Sequence, residues 1–109
     1  MRVFISQPMT GRSETEIVSE RDAIMRLAQR QYPNEMPTEI ASYFGPDNRF
    51  TPTESLGLDI QMLGRADVVY FAPGWEKARG CRVEHTVAKE YNIGKAIHEL
   101  VEEDLERKQ

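Results

Sequence analysis

Residues 67–91, DVVYFAPGWEKARGCRVEHTVAKEY, constrain the fold more than any other part of the chain. Val68 to Ala72 is a short, unbroken apolar run, the pattern of a strand covered on both faces of a sheet. A Pro73-Gly74 turn, Trp75 and a charged loop follow, and helical spacing begins after Gly80, with Glu84 expected in the first helical turn. Strand, loop and helix in this order form the repeating unit of a parallel α/β sheet. In such sheets ligands bind beyond the carboxyl ends of the strands, where helix N-termini point positive charge at them. An ionised carboxylate fixed there is what a nucleophile requires, so the chemistry is expected in this segment.

The rest of the chain repeats the same grammar. Arg2 to Ser6 reads as a strand with Val3, Phe4 and Ile5 continuously apolar, followed by the loop SQPMTGR. A helix is expected from about Ser13 to Gln31, with Ser13 as N-cap, Glu16 completing a capping box, and Ile17, Ala23, Ile24, Leu27 and Ala28 at helical spacing. Pro33 stops it. Residues 34–52 hold Pro37, Pro46, Pro52, Gly45 and a turn signal at Asp47-Asn48, and read as irregular apart from a brief strand or turn near Glu39 to Tyr43. A second helix follows over about Thr53 to Arg65, with Leu56, Ile60 and Leu63 on one stripe. A last strand is expected near Lys95 to His98, and a charged helical tail over Glu102 to Gln109. The expectation is one three-layer, flavodoxin/Rossmann-like α/β domain with four to five mostly parallel strands and right-handed crossovers.

At 109 residues the chain has room for a single core. A net charge of −4 argues against a nucleic-acid polymer as partner, since phosphate contacts need a basic face. No apolar run approaches the roughly 20 residues that span a bilayer, so no membrane partner is expected. The opening MRVFIS runs directly into a strand, unlike a secretory signal, and Cys81 has no second cysteine to pair with; both suit a cytoplasmic protein. His85 and His98 lack metal-ligand spacing with carboxylates or Cys81, so no metal is assigned. A flavin carrier suits the fold, but the first loop lacks a hydroxyl-rich phosphate cradle, and no cofactor is expected.

Two carboxylates stand out. Glu84 has Gly80, Cys81, Val87 and Ala88 as same-face neighbours, with no cation within one helical turn on that face. The plain alternative is a solvated glutamate favoured by the helix dipole. Asp59 is flanked at helical spacing by Ser55, Leu56, Met62 and Leu63, an apolar setting that raises a carboxyl pKa and suits a general acid. Its plain alternative is a surface aspartate capping a loop N–H. One ionised carboxyl and one protonated carboxyl form the pair that cleaves glycosidic bonds, the first attacking the anomeric carbon and the second protonating the leaving group.

The first loop offers Ser6, Gln7, Thr10, Gly11 and Arg12 as candidate contacts for a sugar or a 5′-phosphate: hydroxyls, an approachable backbone N–H and a guanidinium fork. It matches neither a P-loop nor a dinucleotide fingerprint. Gly74, Trp75 and Gly80 are the candidates on the second loop, with Trp75 or Tyr70 set against a base; a loop Trp serves equally as a packing plug.

These residues resemble a known group. VFISQPMTG is similar to the first strand and loop of the nucleoside 2-deoxyribosyltransferase-like superfamily, whose small single-domain members open with an I-S-G-P-M-T-G pattern. LDIQMLGRADVVYFAPGWEKARGCRVEHTVA resembles its second motif block, an Asp on a helix, an A-D-hydrophobic strand, a Gly-containing loop and a Glu on the next helix. The resemblance implies that Glu84 is the nucleophile attacking C1′ of a 2′-deoxyribose and that Asp59 assists departure of the base or binds the sugar. It also implies that the first loop holds the sugar or its 5′ substituent, and that the working form is a homodimer or larger homo-oligomer. A nucleoside or nucleotide is the implied small-molecule partner, by hydrolysis or by transfer to a second base. Gln7 stands where the family has Gly, and RVEHTVA lacks the aromatic residue before the Glu and the Gly after it. A non-catalytic nucleotide-binding module of the same fold, or an interaction protein using the acidic tail and the Pro-rich middle, are the alternatives.

Overall fold

In the computed structural model, which describes residues 1–43 and 49–106, β1 (Arg2–Ser6) leads into α1 (Glu14–Gln31), then β2 (Thr38–Glu39), α2 (Pro52–Leu63), β3 (Val68–Phe71), α3 (Arg79–Glu90), β4 (Ala96–Glu99) and α4 (Glu102–Leu105). Among the described residues the strands form one sheet of order β2-β1-β3-β4, with every neighbouring pair parallel. The chain therefore reverses its direction of winding between β1 and β3. That is the switch point of a flavodoxin-like sheet, beyond which a crevice opens at the strand carboxyl ends.

Strand alternation builds both cores. Val3, Ile5, Val68, Tyr70 and Ala72 face Ile24, Leu27 and Ala28 of α1 together with Leu100, while Phe4, Val69 and Phe71 face Leu63 of α2 and Ala88 of α3. The sheet is thus covered on both sides, which explains the unbroken apolar strands. Ser13 caps α1 in a full capping box with Glu16, and Thr51 and Glu54 form a second one at α2. The second box starts α2 at Pro52, whose missing N–H is harmless in the first turn.

Some expectations shift. The brief strand placed near Glu39 to Tyr43 is the two-residue β2, which pairs Arg2↔Thr38 and Val3↔Glu39. The Asp47-Asn48 turn, like residues 107–109 of the tail, lies outside the described residues. Ala23 is half-buried rather than core, and the buried stripe of α3 runs through Cys81, Glu84 and Ala88, which leaves Tyr91 at its end 78% exposed. Among the described residues no helix is long and apolar enough to cross a membrane.

Candidate active site

A cavity of about 590 Å³ opens at the switch point, beyond the carboxyl ends of β1 and β3. The ladder aligns Ser6 with Phe71, and the Ala72 N–H donates to the Ser6 carbonyl (2.9 Å), so the two loops that follow start side by side. Pro8, Met9 and Thr10 line the cavity from the first loop, and Gly74, Lys77, Ala78 and Arg79 from the second. At Gly74 the backbone turns through φ +83°, a left-handed conformation that glycine adopts without the Cβ penalty. A 3-10 turn, Trp75–Lys77, then carries the chain into α3.

Glu84 and Asp59 meet in this cavity. Glu84 is 5% exposed and accepts a hydrogen bond from the Ser6 hydroxyl at 2.5 Å. Asp59 faces it from α2 with Leu56, Ser55 and Pro52 around it, and its Oδ1 is buried without a hydrogen-bond partner. Burial in this setting raises both pKa values, Asp59 to about 6 and Glu84 to about 8. The two carboxyls titrate as a coupled pair, the Asp59 charge adding to the rise at Glu84, so the protons they hold belong to the pair jointly.

The rise at Glu84 departs from the expectation of a carboxylate held ionised at a helix N-terminus. The physical reason is where α3 begins. It starts at Arg79, so Glu84 lies in the second turn, past the reach of the helix dipole, and the Ser6 hydroxyl and the Arg21 charge offset only part of the effect of its burial. The expected raised pKa of Asp59, in contrast, follows from its apolar flank as anticipated.

The first loop contributes differently from its reading as a ligand cradle. The Gln7 amide nitrogen donates to the Ile17 carbonyl (3.0 Å) and to Glu20 Oε1 (2.9 Å), and its oxygen accepts from Arg21 Nη1 (3.1 Å). Gln7 therefore forms cavity wall with its donors already used. Arg12 is committed to Glu20 Oε1 (2.7 Å) and the Pro8 carbonyl (3.0 Å), and neither it nor Gly11 lines the cavity. Trp75 also turns away. It stacks on His85 with ring centroids 4.2 Å apart and packs at 5.4 Å on Phe71. His85 in turn contacts Glu99 at 2.6 Å. Tyr70 is fully buried on the α1 side, its hydroxyl donating to Gln31. Gly80 and Thr10 stand at the cavity as expected.

Four residues escaped the sequence reading. Lys77 and Arg79 put positive charge at the mouth, beside the start of α3, where the Arg79, Gly80 and Cys81 N–H groups precede the first intrahelical bond (Arg82 to Ala78) and no side chain caps them. Ser42 lines the cavity from the segment after β2. Arg21 is 4% exposed and reaches Glu39, Gln7 and Ser42. A signal for it existed: Arg21 falls on the stripe Ile17, Ile24, Ala28, where a buried cation demands partners. Cys81 also lines the cavity, its thiol pushed up to about 11 by burial and thus protonated, so it offers no ready nucleophile.

A carboxyl pair with both pKa values raised, at the floor of a cavity with a cationic mouth, can supply an attacking oxygen and a proton donor together. No curated protein and no solved structure matches the chain. A family model matches residues 1–98 and so nearly every element described above: the chain belongs to the family of the domain of unknown function DUF4406.

Proposed function

We propose that the protein cleaves the N-glycosidic bond of a 2′-deoxynucleoside or its 5′-monophosphate, as the resemblance to the nucleoside 2-deoxyribosyltransferase-like superfamily suggests. The observation that carries this is the Asp59–Glu84 pair, brought together in the switch-point cavity with both carboxyl pKa values raised by burial. The reactive arrangement has Glu84 ionised and Asp59 protonated. A Glu84 oxygen bonds to C1′ while the C1′–N bond breaks and its electron pair leaves with the base; Asp59 gives its proton to that base. A water or a second base then attacks C1′, the displaced ester oxygen returns to Glu84 as carboxylate, and Asp59 takes the proton of the attacking group. Lys77 and Arg79 at the mouth suit a 5′-phosphate, a role for which Arg12 is no longer free.

A second reading has its own support. In the free protein burial favours the protonated form of Glu84, and Ser6 holds that side chain, an arrangement that also suits ligand binding without turnover. A homodimer or larger homo-oligomer is part of the proposal, and light scattering reads it directly. Base release decides between the readings. Wild type and Glu84→Gln are incubated with deoxynucleosides and their 5′-monophosphates, with and without an acceptor base, and products are separated by chromatography. Release by wild type alone supports the glycosidase. Thermal stabilisation by a nucleotide in both proteins, with no release from either, supports the binding module.

A further inference from the structure

We propose that Arg21 is the positioning residue of this cavity: one buried guanidinium fastens its wall from three elements and faces the carboxyl pair with positive charge. The inference deepens the proposed function and rests on the cavity being the reactive site. Among the described residues Arg21 is the only buried cation. Its three nitrogens take three different partners: Nε donates to Glu39 Oε2 (2.6 Å) at the end of β2, Nη1 to Gln7 Oε1 (3.1 Å) in the first loop, and Nη2 to Ser42 Oγ (2.6 Å) in the segment after β2. Gln7 and Ser42 line the cavity; Glu39 does not. Arg21, Glu39 and Ser42 also line a separate cavity of about 300 Å³ on the other side, so the guanidinium forms part of the partition between the two.

A planar fork with fixed donors suits this role, and a lysine at the same place keeps the charge but reaches fewer partners. The ion pair with Glu39 makes the burial of the cation tolerable, because an unpaired buried charge is strongly disfavoured. Arg21 thus serves two ends at once. It holds Gln7, whose amide continues to Glu20 and so to Arg12, in a chain that rigidifies the whole first loop. It also supplies the cation that draws down both carboxyl pKa values against the larger effect of their burial. The other titratable or charged groups around the pair are Glu20 on α1, Cys81 and Arg79 on α3, and Lys77 on the turn before it. Ser6 on β1 contributes a neutral hydroxyl.

The test is a ¹³C carboxyl NMR titration of Asp59 and Glu84 in wild type, Arg21→Met, Arg21→Lys and Glu39→Gln, with base release measured on the same samples. In Arg21→Met both midpoints are expected to rise by about half a pH unit. Arg21→Lys is expected to restore them while base release stays below wild type, since charge returns without the fork. Glu39→Gln is expected to shift them the opposite way, downward, because it leaves the guanidinium uncompensated. A purely structural residue gives no such pair of opposite signs. Midpoints that do not move in Glu39→Gln and Arg21→Met, or that move the same way in both, overturn the proposal. Should Arg21→Met fail to fold, the absence of a downward shift in Glu39→Gln overturns it alone. The titration does not depend on turnover: shifted midpoints without base release from wild type leave Arg21 in its role and remove the glycosidase, whereas base release with static midpoints does the reverse.

Discussion

The two ends of the sheet carry cavities of similar size and opposite electrostatics. At the carboxyl ends of β1 and β3 lies the Asp59–Glu84 cavity of about 590 Å³. At the amino ends, a space of about 520 Å³ is bounded by Met1, Glu35, Asp67, Gly94 and Lys95. Both hold carboxylates. At the amino ends every charge has an exposed partner: Lys95 pairs with Glu35, the Met1 amine donates to the Glu35 carbonyl (3.1 Å), and the Arg2 N–H donates to Asp67 Oδ2 (2.6 Å). That backbone N–H, helped by the Arg2 charge, pulls the Asp67 pKa down. At the carboxyl ends burial pushes Asp59 and Glu84 up. Volume therefore does not mark a reactive site; desolvation and the choice of partner do. The amino-end charges are those of a solvated rim. Gly94 there has a structural task, since its φ is +71° and a Cβ would sit 2.7 Å from the Asp67 carbonyl oxygen.

The largest expected effect that sharpens this contrast is at Glu84. Glu84→Gln keeps the volume and an acceptor for Ser6, and base release is predicted to fall by at least about 10³-fold with the fold intact by circular dichroism. Asp59→Asn is predicted to lower release by about 10²–10⁴-fold. In wild type, kcat/KM should be bell-shaped in pH, with limbs near about 6 and about 8 that belong to the pair jointly. In Asp59→Asn the alkaline limb should vanish, because no second carboxyl remains to lose the required proton.

A smaller effect is thermodynamic. The folded protein holds the Glu84 proton more tightly than the unfolded chain does, with a pKa of about 8 against 4.5. Its contribution is present in full below about 4.5 and is lost as pH rises through about 8. Asp67, whose pKa is lowered, works with the opposite sign and loses its contribution as pH falls. Wild-type Tm should therefore drop between pH 5 and pH 8 more steeply than that of Glu84→Gln, as differential scanning calorimetry can record. The smallest effect belongs to the amino ends. Lys95→Ala should change stability by less than about 1 kcal/mol in a denaturant titration and leave base release unchanged. Loss of activity there would break the contrast.

What the sequence made legible follows from local physics. The Ser13–Glu16 capping box, the apolar strands and the apolar flank of Asp59 are encoded within a few residues of one another, and the structure places them as read. The raised pKa of Glu84 was not legible, because it depends on α3 starting at Arg79 and on packing that buries the side chain in the cavity it shares with Asp59. The first loop misled for the same reason. Its polar residues fit a ligand cradle equally well until Glu20 and Arg21, a helical turn away on α1, claim Arg12 and Gln7. Trp75 looked free for a base only while its partner His85 was unknown. Lys77 and Arg79 were visible merely as charges in a loop; their place at the cavity mouth depends on the Gly74 turn and the 3-10 turn that follows it.

The most direct test of the account is to capture the intermediate. Wild type and Glu84→Gln are mixed with deoxynucleosides and deoxynucleoside 5′-monophosphates, quenched in acid and read by intact-mass and peptide mass spectrometry. The account predicts a deoxyribosyl or phosphodeoxyribosyl adduct on the peptide containing Glu84, present in wild type and absent from the variant. Base release that persists in Glu84→Gln, with no adduct on the wild-type protein, would contradict it.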